Sequence, residues 1–544
     1  MAISQPSEVR PELSWSGWGD PGQASAPPDA ILELLRSGLG VTRATPGPVS
    51  ISGLELTPIR LDPATSEALA AIVGEANARS DQEARARHAL GKSTLDLLAL
   101  RAGAAIGAPD LVLAPASHAQ IIQVLELCSR QRVAVVPFGG GTSVVGGLAP
   151  QSEGFASVVA LDLRRMNGLL ELDRESRLAV LGPGLLGPQA EALLAERGYT
   201  IGHFPQSFEY ATLGGFAAAR SSGQASAGYG RFDELVVGLK VATPAGSLIL
   251  GRAPKSAAGP DLRQLILGSE GTLGVITELT VRVVPVPERR VYEGWRLPDF
   301  DHGVATLRRL VQDGPVPTVL RLSDEAETAL GLARPGELGQ SEGGGCLAIV
   351  GYEGTAQDVA TRREAAADVL NAAGASPVDG AGEDWARDRY RAPYLRDALL
   401  DAGALVETLE TVTFWSSLRG LYDAVGAALR EQLTGQGTPP LILCHVSHVY
   451  PAGASLYFTI ACAQLADPIA QWRAAKAAAG DAIMAAGGSI THHHGVGRDH
   501  REWLPAEVGE LGIAVLRAVK QTLDPVGILN PGILIPAKSG AAAR

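Results

Sequence analysis

Three consecutive glycines follow an apolar stretch near residue 140. The sequence from Val135 to Leu148 reads Val-Val-Pro-Phe-Gly-Gly-Gly-Thr-Ser-Val-Val-Gly-Gly-Leu. Because glycine has no Cβ atom, Gly139, Gly140 and Gly141 can adopt positive φ and turn successive N–H groups toward one point, which suits a phosphate. A tight turn between two strands is the alternative interpretation of a triple glycine. The segment is therefore a candidate anion-binding loop.

Three adjacent histidines, His492, His493 and His494, are the strongest chemical signal outside the glycine-rich segments. Imidazoles with an ordinary pKa of about 6.5 can bind anions or exchange protons at neutral pH. If the segment is extended, His492 and His494 share one face and could chelate a metal, but no carboxylate stands at a convincing spacing for a third ligand. We therefore predict acid-base or anion-binding work and no metal, with solvated histidines as the remaining interpretation.

Two further polar residues lie in contexts that allow more than one interpretation. Tyr457 lies in the apolar strand pattern Ser-Leu-Tyr-Phe-Thr-Ile-Ala, where a phenol needs a partner. A core tyrosine is the plain alternative. Arg396, in Tyr-Leu-Arg-Asp, is either an anion clamp or half of a surface ion pair.

Two apparent nucleotide-binding motifs fail on their context. The segment 90–94 ends like a P-loop, but Ala86 stands where the first glycine of the motif belongs and no strand pattern precedes it. The segment 182–187 matches the dinucleotide fingerprint after a strand, yet Pro183 removes an amide donor and no second strand with a terminal acidic residue follows at the usual distance. A close turn from a strand into a helix is the better interpretation of this second segment.

The surrounding pattern predicts the elements that position these residues. Leu111–Leu113 is typical of a strand, Ser117 of a helix N-cap, Ile121–Leu127 of a helix and Val133–Val136 of the strand that leads into the glycine loop. This unit places the loop at a carboxyl end of a sheet, where α/β folds bind ligands. Further strands are predicted at 157–163, 178–181, 278–284, 347–352 and 456–460, a hairpin at 239–250, and helices across 65–103 and 468–486.

The texture of the chain changes several times along its length. Residues 1–60 are rich in Pro, Gly and Ser and predict an extended arm, which Trp15 and Trp18 could anchor. The segment 203–230 is dense in small and polar residues, and we predict that it lines a ligand. We divide the chain into an N-terminal arm and helical region over 1–103, a ligand-binding domain over 104–288, a second domain over 289–475 and a C-terminal segment over 476–544.

Composition excludes several classes of protein. The 544 residues are 46% hydrophobic and carry a formal net charge of −12, which argues against nucleic acid as a partner. The cysteines at 128, 346, 444 and 462 form no Cys-x-x-Cys pair, so the sequence predicts neither a disulfide framework nor a zinc knuckle. No apolar run approaches the roughly 20 residues of a membrane span, and the N-terminus lacks a signal pattern. We expect a cytoplasmic protein.

Taken together, the motifs resemble a known enzyme family. The glycine loop Pro137–Ser143, the segment 202–220, the second glycine-rich turn Gly268–Ile276 and the run His492–Gly497 occur in the order found in flavoenzymes of the vanillyl-alcohol oxidase type. They resemble most closely the alkyldihydroxyacetonephosphate synthase family, and the segment 15–19, Trp-Ser-Gly-Trp-Gly, is similar to a pattern near that family's start. The combination is specific, although each motif alone is not.

The resemblance implies an α+β fold in which a PCMH-type FAD-binding domain of two α/β subdomains grips FAD. An α/β cap domain over 289–475 would cover the isoalloxazine, and a C-terminal helical segment would complete the active site. The glycine loop lacks the histidine that covalent flavoproteins carry there, so FAD is expected to be non-covalent. The resemblance assigns FAD binding to Pro137, Phe138, Gly139, Gly140, Gly141, Thr142, Ser143, Gln206, Ser207, Phe208, Glu209, Tyr210, Ala211, Thr212, Ala219, Arg220, Ser221, Ser222, Glu270, Gly271, Thr272, Leu273, Gly274, Val275 and Ile276.

The same resemblance implies roles for the chemical residues. An arginine fork suits a phosphate, and a tyrosine near cationic groups can have its pKa lowered enough to exchange a proton. By resemblance, the acid-base tyrosine is Tyr457, the essential histidine cluster is His492, His493 and His494, a further active-site histidine is His203, and the arginine for the substrate phosphate is Arg396.

The family exchanges the acyl group of acyl-dihydroxyacetone phosphate for a fatty alcohol, in ether lipid synthesis, through a flavin N5 adduct and without net redox change. Departures point to an alternative, an FAD-dependent dehydrogenase or oxidase of a D-lactate-type 2-hydroxy acid. The ending Leu529–Gly532 is closer to such enzymes, the segment 498–500 replaces a basic stretch, and His445 and His448 add imidazoles. A flavin-binding protein without turnover is a third alternative. We expect a small-molecule or lipid substrate and leave open a homodimer and a peripheral membrane contact.

Overall fold

A computed structural model describes residues 12–537, except 43, 46, 104–105, 152–153, 332, 334–337 and 340–343. Across that part of the chain, no helix combines the length and the apolar character that crossing a membrane requires. The strands of the described residues form sheets of four, five and seven strands and a two-stranded ribbon.

The N-terminal region is an extended arm followed by short helices. Trp18 is buried against Tyr210 and Tyr394, as expected for a tryptophan that anchors an arm. The helix expected across 65–103 is interrupted, because Gly74 has a φ of +88° and Asp81 and Ser93 cap new helices. The helices are α1 (Asp29–Glu33), α2 (Pro63–Val73), α3 (Gln82–Arg87) and α4 (Thr94–Ala102), with a π-helical turn at Leu34–Gly38.

The glycine loop follows a strand of the four-stranded sheet, whose order is β1-β2-β4-β3. Strand β4 pairs in parallel with both β2 and β3, and the intervening helix begins after Ser117, whose side chain accepts a hydrogen bond from the Gln120 amide. The predicted strand, helix, strand unit is therefore confirmed. The elements are β1 (Ala78–Arg79), β2 (Leu111–Leu113), α5 (His118–Gln131), β3 (Val133–Phe138) and β4 (Ser157–Asp162).

The second sheet is antiparallel, in the order β5-β6-β10-β8-β9. A Cβ atom at Gly182 or Gly184 would overlap the carbonyl oxygen of Met166 or Leu163, so these glycines permit the close turn that the sequence predicts between strand and helix. The predicted loop at 203–230 contains two short helices. The elements are β5 (Leu169–Asp173), β6 (Leu178–Leu181), α6 (Gly187–Ala195), β7 (Tyr199–Thr200), α7 (Leu213–Ala219), α8 (Ser226–Tyr229), α9 (Phe232–Leu235), β8 (Val236–Thr243), β9 (Gly246–Leu250), α10 (Arg263–Ile266), β10 (Val275–Arg282) and β11 (Val284–Pro285).

The seven-stranded sheet forms the core of the next region, with the antiparallel order β15-β12-β14-β13-β17-β18-β16. One face packs against helices in the largest apolar core, which includes Leu322, Val446, Phe458 and Trp472. The elements are β12 (Arg289–Leu297), α11 (Phe300–Gln312), β13 (Val319–Ser323), α12 (Glu325–Leu330), β14 (Cys346–Gly354), α13 (Ala356–Ala372), β15 (Ser376–Val378), α14 (Ala381–Asp388), α15 (Ala392–Asp401), β16 (Ala404–Phe414), α16 (Leu418–Gly435), β17 (Leu441–Val449), β18 (Gly453–Ala463) and α17 (Pro468–Ala485).

The C-terminal segment returns to the first sheet. Helix α18 (Leu504–Leu523) is kinked at Gly509, whose φ is +74°. Beyond it, the amide of Val135 donates to the carbonyl of Ile528, and the amide of Asn530 donates to the carbonyl of Val135. The C-terminal residues therefore lie beside the strand of the glycine loop. Strand β1 of the first sheet lies in the region 1–103, where the sequence predicts an arm and helices, whereas β2, β3 and β4 lie in the next region. The domain boundaries stay predictions.

Candidate active site

A cavity of about 700 Å³ lies between the two N-terminal sheets and the seven-stranded sheet. The glycine loop, the segments 205–224 and 269–276, strands β16 to β18 and the histidine run all contribute to its wall. A largely apolar cavity with a few convergent polar groups is typical of a small-molecule site. The sequence-predicted residues are therefore brought together from distant parts of the chain.

The glycine loop forms a cradle that only glycine allows. A Cβ atom at Gly140 would overlap the carbonyl oxygen of Tyr210, and one at Gly139 would overlap the Thr212 hydroxyl. Gly141 has a φ of +74°. The loop thus packs directly against the segment 206–212, and bare backbone faces the cavity, as anion binding at a loop of this kind requires.

Most of the predicted FAD-binding residues line the cavity, although several side chains do not. Phe208 stacks on Tyr390, Arg220 donates to the carbonyl of Leu267, and Leu273 lies in the apolar core of the second sheet. Their assignment, like that of the whole set, stays a prediction. The residues in the wall are Pro137, Phe138, Gly139, Gly140, Gly141, Thr142, Ser143, Gln206, Ser207, Ala211, Thr212, Ala219, Ser221, Ser222, Glu270, Gly271, Gly274, Val275 and Ile276, and those outside it are Phe208, Glu209, Tyr210, Arg220, Thr272 and Leu273.

Two buried side-chain amide atoms in the wall have no hydrogen-bond partner among the described residues, although Gln224 Nε2 lies 3.5 Å from Gln206 Oε1 and donates to it. They are the Nε2 atom of Gln206 and the Oε1 atom of Gln224. Buried polar atoms are normally paired, because desolvation without a hydrogen bond costs about 1–3 kcal/mol. A polar ligand in this part of the cavity would satisfy them.

The open face of the seven-stranded sheet supplies the opposite wall. Side chains alternate along a strand, so Tyr457, Thr459 and Ala461 of β18 all face the cavity. The same alternation brings His445 into the wall, and an irregularity in the pairing of β17 between Val446 and His448 brings His448 to the same face. The polar residues lie at one end of this face.

An aromatic cluster joins the histidine run to Tyr457. The Tyr457 ring is stacked on His445 at a centroid distance of 5.0 Å and on His493 at 6.1 Å, and it meets His494 edge-on at 5.6 Å. The Tyr457 hydroxyl donates to the Thr408 hydroxyl, at 3.0 Å. His492 lies behind this layer, with Nε2 at 2.6 Å from the Tyr450 hydroxyl. His493 and His494 therefore line the cavity, whereas His492 does not.

Burial sets the ionisation of the cluster. It lowers the pKa of His492 and His493 and brings the pKa of His494 down to about 4, so all three imidazoles are neutral near pH 7. Burial raises the pKa of Tyr457 to about 12. The expected lowering of the Tyr457 pKa by cationic groups is therefore wrong, because desolvation outweighs the opposing effect of Arg396.

Three imidazoles of the cluster approach closely enough to share an ion. Ring nitrogens of His448, His492 and His493 all lie within 4.8 Å of one another. Each is already engaged: His448 with Ser222 and Ser226, and His492 with Tyr450 and, at 3.0 Å, with His493. The prediction of a site without metal stays a prediction.

His203 is buried one layer behind the cavity wall. Its Nε2 atom lies 3.1 Å from the Ser221 hydroxyl, and its ring packs against Phe216 and Phe232. Burial lowers the pKa of His203 to about 3. The structure therefore does not bring this ring to the cavity surface, although it supports Ser221, which is part of the wall.

Arg396 lines the cavity next to the N-terminal arm. Its Nε and Nη2 atoms donate to Asp397, and its Nη1 atom donates to the carbonyl of Lys92. Asp397 also accepts a hydrogen bond from the Trp18 amide. The segment 90–94, which resembles a P-loop, has a structural role here. Its Lys92 lies buried between the N-terminal arm and Arg396, and it donates to the carbonyls of Ser14 and Trp15.

Sequence reasoning missed two acidic residues of this region. Glu410 in β16 lies under the histidine run, and Glu327 forms a buried network with His445 and Arg321. Burial opposes their ionisation, but neighbouring cationic and imidazole groups hold the pKa of each below its ordinary value. A glutamate inside an apolar strand pattern was the available signal at Glu410.

The cavity continues from the polar cluster into an apolar arm. This arm lies between the N-terminal helical region, α15 and the far ends of β16 to β18. Its lining is apolar, as a binding site for a hydrocarbon chain requires. Its walls are formed by Ile31, Leu34, Leu35, Leu39, Leu330, Leu338, Leu395, Leu399, Val406, Leu441, Leu443 and Ala461.

Comparison with known proteins places this geometry in a family. Residues 109–250 match the family described as FAD binding domain, and residues 286–534 match the family described as FAD linked oxidases, C-terminal domain. The chain is 34% identical to alkyldihydroxyacetonephosphate synthase of Dictyostelium discoideum, over 96% of this chain and 94% of that relative. The chain belongs to the alkyldihydroxyacetonephosphate synthase family.

Two further comparisons frame this family membership. A solved structure of alkyldihydroxyacetonephosphate synthase has a TM-score of 0.79 and 31% identity, covering 96% of this chain and 99% of that chain. The mitochondrial D-lactate dehydrogenase (cytochrome) of Arabidopsis thaliana is 28% identical over 79% of this chain and 74% of the relative. The synthase similarity is thus both higher and more complete.

The alkyldihydroxyacetonephosphate synthase family membership confirms the predicted fold class and cofactor. The chain has an FAD-binding domain followed by the C-terminal domain of the FAD linked oxidases, and FAD is its cofactor. The residues present fit that group, because the glycine cradle leaves bare amides for a pyrophosphate and Gln206 and Gln224 have unpaired polar atoms in the wall. Below, the seven-stranded region is called the cap.

Proposed function

We propose that this protein replaces the acyl group of acyl-dihydroxyacetone phosphate with a fatty alcohol. One observation carries the proposal: a single cavity joins the FAD cradle, the Tyr457 and histidine cluster and an apolar arm. The near full-length similarity to alkyldihydroxyacetonephosphate synthases supports it.

The exchange needs proton transfer but no net electron transfer. Acyl-dihydroxyacetone phosphate and an alcohol give the alkyl product and a carboxylic acid, so the alcohol must lose a proton and the departing group must gain one. FAD, when bound, supplies the isoalloxazine ring that activates the substrate carbon. The side chains around the ring have to bind the substrate, exclude water and move these protons.

The cavity supplies a proton donor next to proton acceptors. Tyr457 is a neutral phenol because burial raises its pKa to about 12, and it lies against His493 and His494. These imidazoles are neutral, so each has a lone pair that can accept a proton. We assign the donor role to Tyr457 and the acceptor role to the two histidines that face the cavity.

Arg396 suits the phosphate end of the substrate. Its guanidinium is held by Asp397 and by the carbonyl of Lys92, which fixes its orientation and leaves N–H groups for an anion. The Asp397 carboxylate in turn is fixed by the Trp18 amide of the arm. The N-terminal arm thereby contributes to the substrate site.

A 2-hydroxy acid dehydrogenase is the second candidate. The match to FAD-linked oxidases and the similarity to D-lactate dehydrogenase favour it. A small hydroxy acid, however, has no use for an arm lined by Leu399, Val406, Leu443 and Ala461. The apolar arm therefore favours the lipid substrate.

Anaerobic flavin spectroscopy separates the candidates. We expect the FAD-loaded protein to lose its visible flavin band on addition of acyl-dihydroxyacetone phosphate and to regain it on addition of a long-chain alcohol. Bleaching by D-lactate, with recovery on addition of an electron acceptor, would instead establish the dehydrogenase. No response to either compound would leave a flavin-binding protein, and the proposal would fail.

A further inference from the structure

Five backbone amides of the histidine run donate to only two side chains. The amides of His492, His493 and His494 donate to Glu410, at 2.6, 3.2 and 2.9 Å, and the Thr491 hydroxyl donates to the same carboxylate at 2.6 Å. Beyond Gly495, the amides of Val496 and Gly497 donate to Glu270, at 2.9 to 3.1 Å.

The two carboxylates come from different parts of the fold. Glu410 lies in β16 of the cap, opposite Tyr457 in the neighbouring strand β18. Glu270 lies in the second glycine-rich turn, which lines the FAD side of the cavity, and its own carbonyl accepts a hydrogen bond from Asn530. The histidine run is therefore hydrogen-bonded at one end to the cap and at the other end to the second glycine-rich turn, on the FAD side of the cavity.

The local backbone is built around these contacts. A Cβ atom at Gly495 would lie 2.7 Å from Glu270 Oε1, so a side chain there would push the carboxylate away. Gly495 and Gly497 have φ values of +92° and +54°, and Glu270 itself has a φ of +51°. Glycines at both positions allow the chain to fold around the carboxylate without the cost of a left-handed side chain.

We propose that Glu410 and Glu270 are positioning residues that together hold the histidine run in register with both Tyr457 and the cofactor. Neither side chain is assigned to proton transfer. Their hydrogen bonds fix the backbone that carries His493 and His494. The Glu410 carboxylate also lies 3.6 Å and 3.9 Å from the Nδ1 atoms of these two rings. The consequence for turnover rests on the proposed function, whereas the anchoring itself does not.

Amide hydrogen exchange in the full-length, FAD-loaded protein tests the anchoring directly. Glu410→Gln keeps the size of the side chain but weakens acceptance by several amides, so we expect at least about tenfold faster exchange at 492–494. Glu270→Gln should accelerate exchange at 496–497 by a similar factor. The matched control is Asp110→Asn, which alters a buried carboxylate that accepts from Arg60 and Val158 elsewhere, and exchange at 491–497 should not change.

Kinetics test whether the anchoring matters for the reaction. In both glutamine variants we expect kcat to fall at least about tenfold while KM stays within about threefold, because substrate binding groups are untouched. If Glu410→Gln does not fold, Thr491→Val removes one donor to the same carboxylate and should show a smaller change of the same kind. Unchanged exchange and unchanged kcat in the glutamine variants would overturn the proposal.

The failure of the two proposals can be told apart. If the wild-type protein makes no alkyl product, the proposed function fails, and exchange at 492–497 still decides the anchoring. If the wild type turns over and the glutamine variants match it in both measurements, the anchoring fails alone.

Discussion

Tyr457 is largely buried, and this environment determines whether its hydroxyl can donate or accept a proton. Its hydroxyl donates to the Thr408 hydroxyl, and imidazole rings stack against its ring. Since burial raises its pKa to about 12, the phenol keeps its proton near pH 7, which suits the donor role proposed for it.

At the residue scale, Tyr457→Phe should retain FAD and lose most of its turnover. General acid-base groups contribute about 10²- to 10⁴-fold, so we expect kcat to fall at least about a hundredfold. Flavin absorbance measures retention of the cofactor, and product formation measures turnover. Tyr422→Phe is the matched control, because Tyr422 is a cap tyrosine that donates to Asp324 outside the cavity and should keep full activity. Full activity of Tyr457→Phe would remove the residue from the mechanism.

Along strand β18, the side chains that face the cavity change from polar to apolar. On β18, Tyr457, Thr459 and Ala461 face the cavity in sequence, and their neighbours Phe458 and Ile460 face the core of the cap. The strand rises about 3.3 Å per residue, so Ala461 lies about 13 Å from Tyr457 along the chain direction. The small side chain at that distance leaves room for a hydrocarbon tail.

At the element scale, Ala461→Phe should shorten the chain that the enzyme accepts. Filling the apolar arm with a ring excludes long tails but leaves the Tyr457 end unchanged. We expect kcat/KM with a long-chain alcohol to fall at least about tenfold, while the value with a short-chain alcohol stays within about twofold. Rates with both alcohols in the same preparation provide the control. An equal loss of kcat/KM for both alcohols would contradict the assignment of the apolar arm as the site of the hydrocarbon tail.

Across the whole molecule, buried titratable groups set the response to acid. Burial lowers the pKa of His500 to about 3, and its Nδ1 atom lies 3.0 Å from the carbonyl of Gly495. Burial also raises the pKa of Glu270 and of Glu191 to about 7. On acidification the carboxyls bind protons more readily in the folded state, whereas the histidine binds them more readily in the unfolded state.

The pH dependence of stability follows from His500 with a definite sign. The pKa of His500 in the folded state lies below its value of about 6.5 in the unfolded state. Between these two values the unfolded state binds the proton more readily, so the free energy of unfolding decreases as the pH falls from about 6.5 toward about 3. The slope is about 1.4 kcal/mol per pH unit. In urea titrations between about pH 6 and 4, His500→Gln should lose stability less steeply by that amount. Identical slopes in the two proteins would contradict the prediction.

Local patterns determined much of this protein from sequence. The strand at 133–138 and its glycine loop, the strand at 178–181 and the helix at 468–485 follow from periodicity, capping and glycine conformational freedom, which act over a few residues. The family resemblance added FAD and the fold class. The same local context argues against a P-loop at 90–94, where a helix and not a strand precedes the segment.

Tertiary structure alone decided how the site is assembled and charged. Glu410, Glu270 and His448 meet the histidine run from separate segments, and no local spacing links them. The pKa of Tyr457 moved opposite to expectation, because desolvation depends on what the whole fold packs around the phenol. His203 was placed behind Ser221 for the same reason. Burial and contact between distant segments are properties of the folded chain, and the sequence encodes them only through the fold.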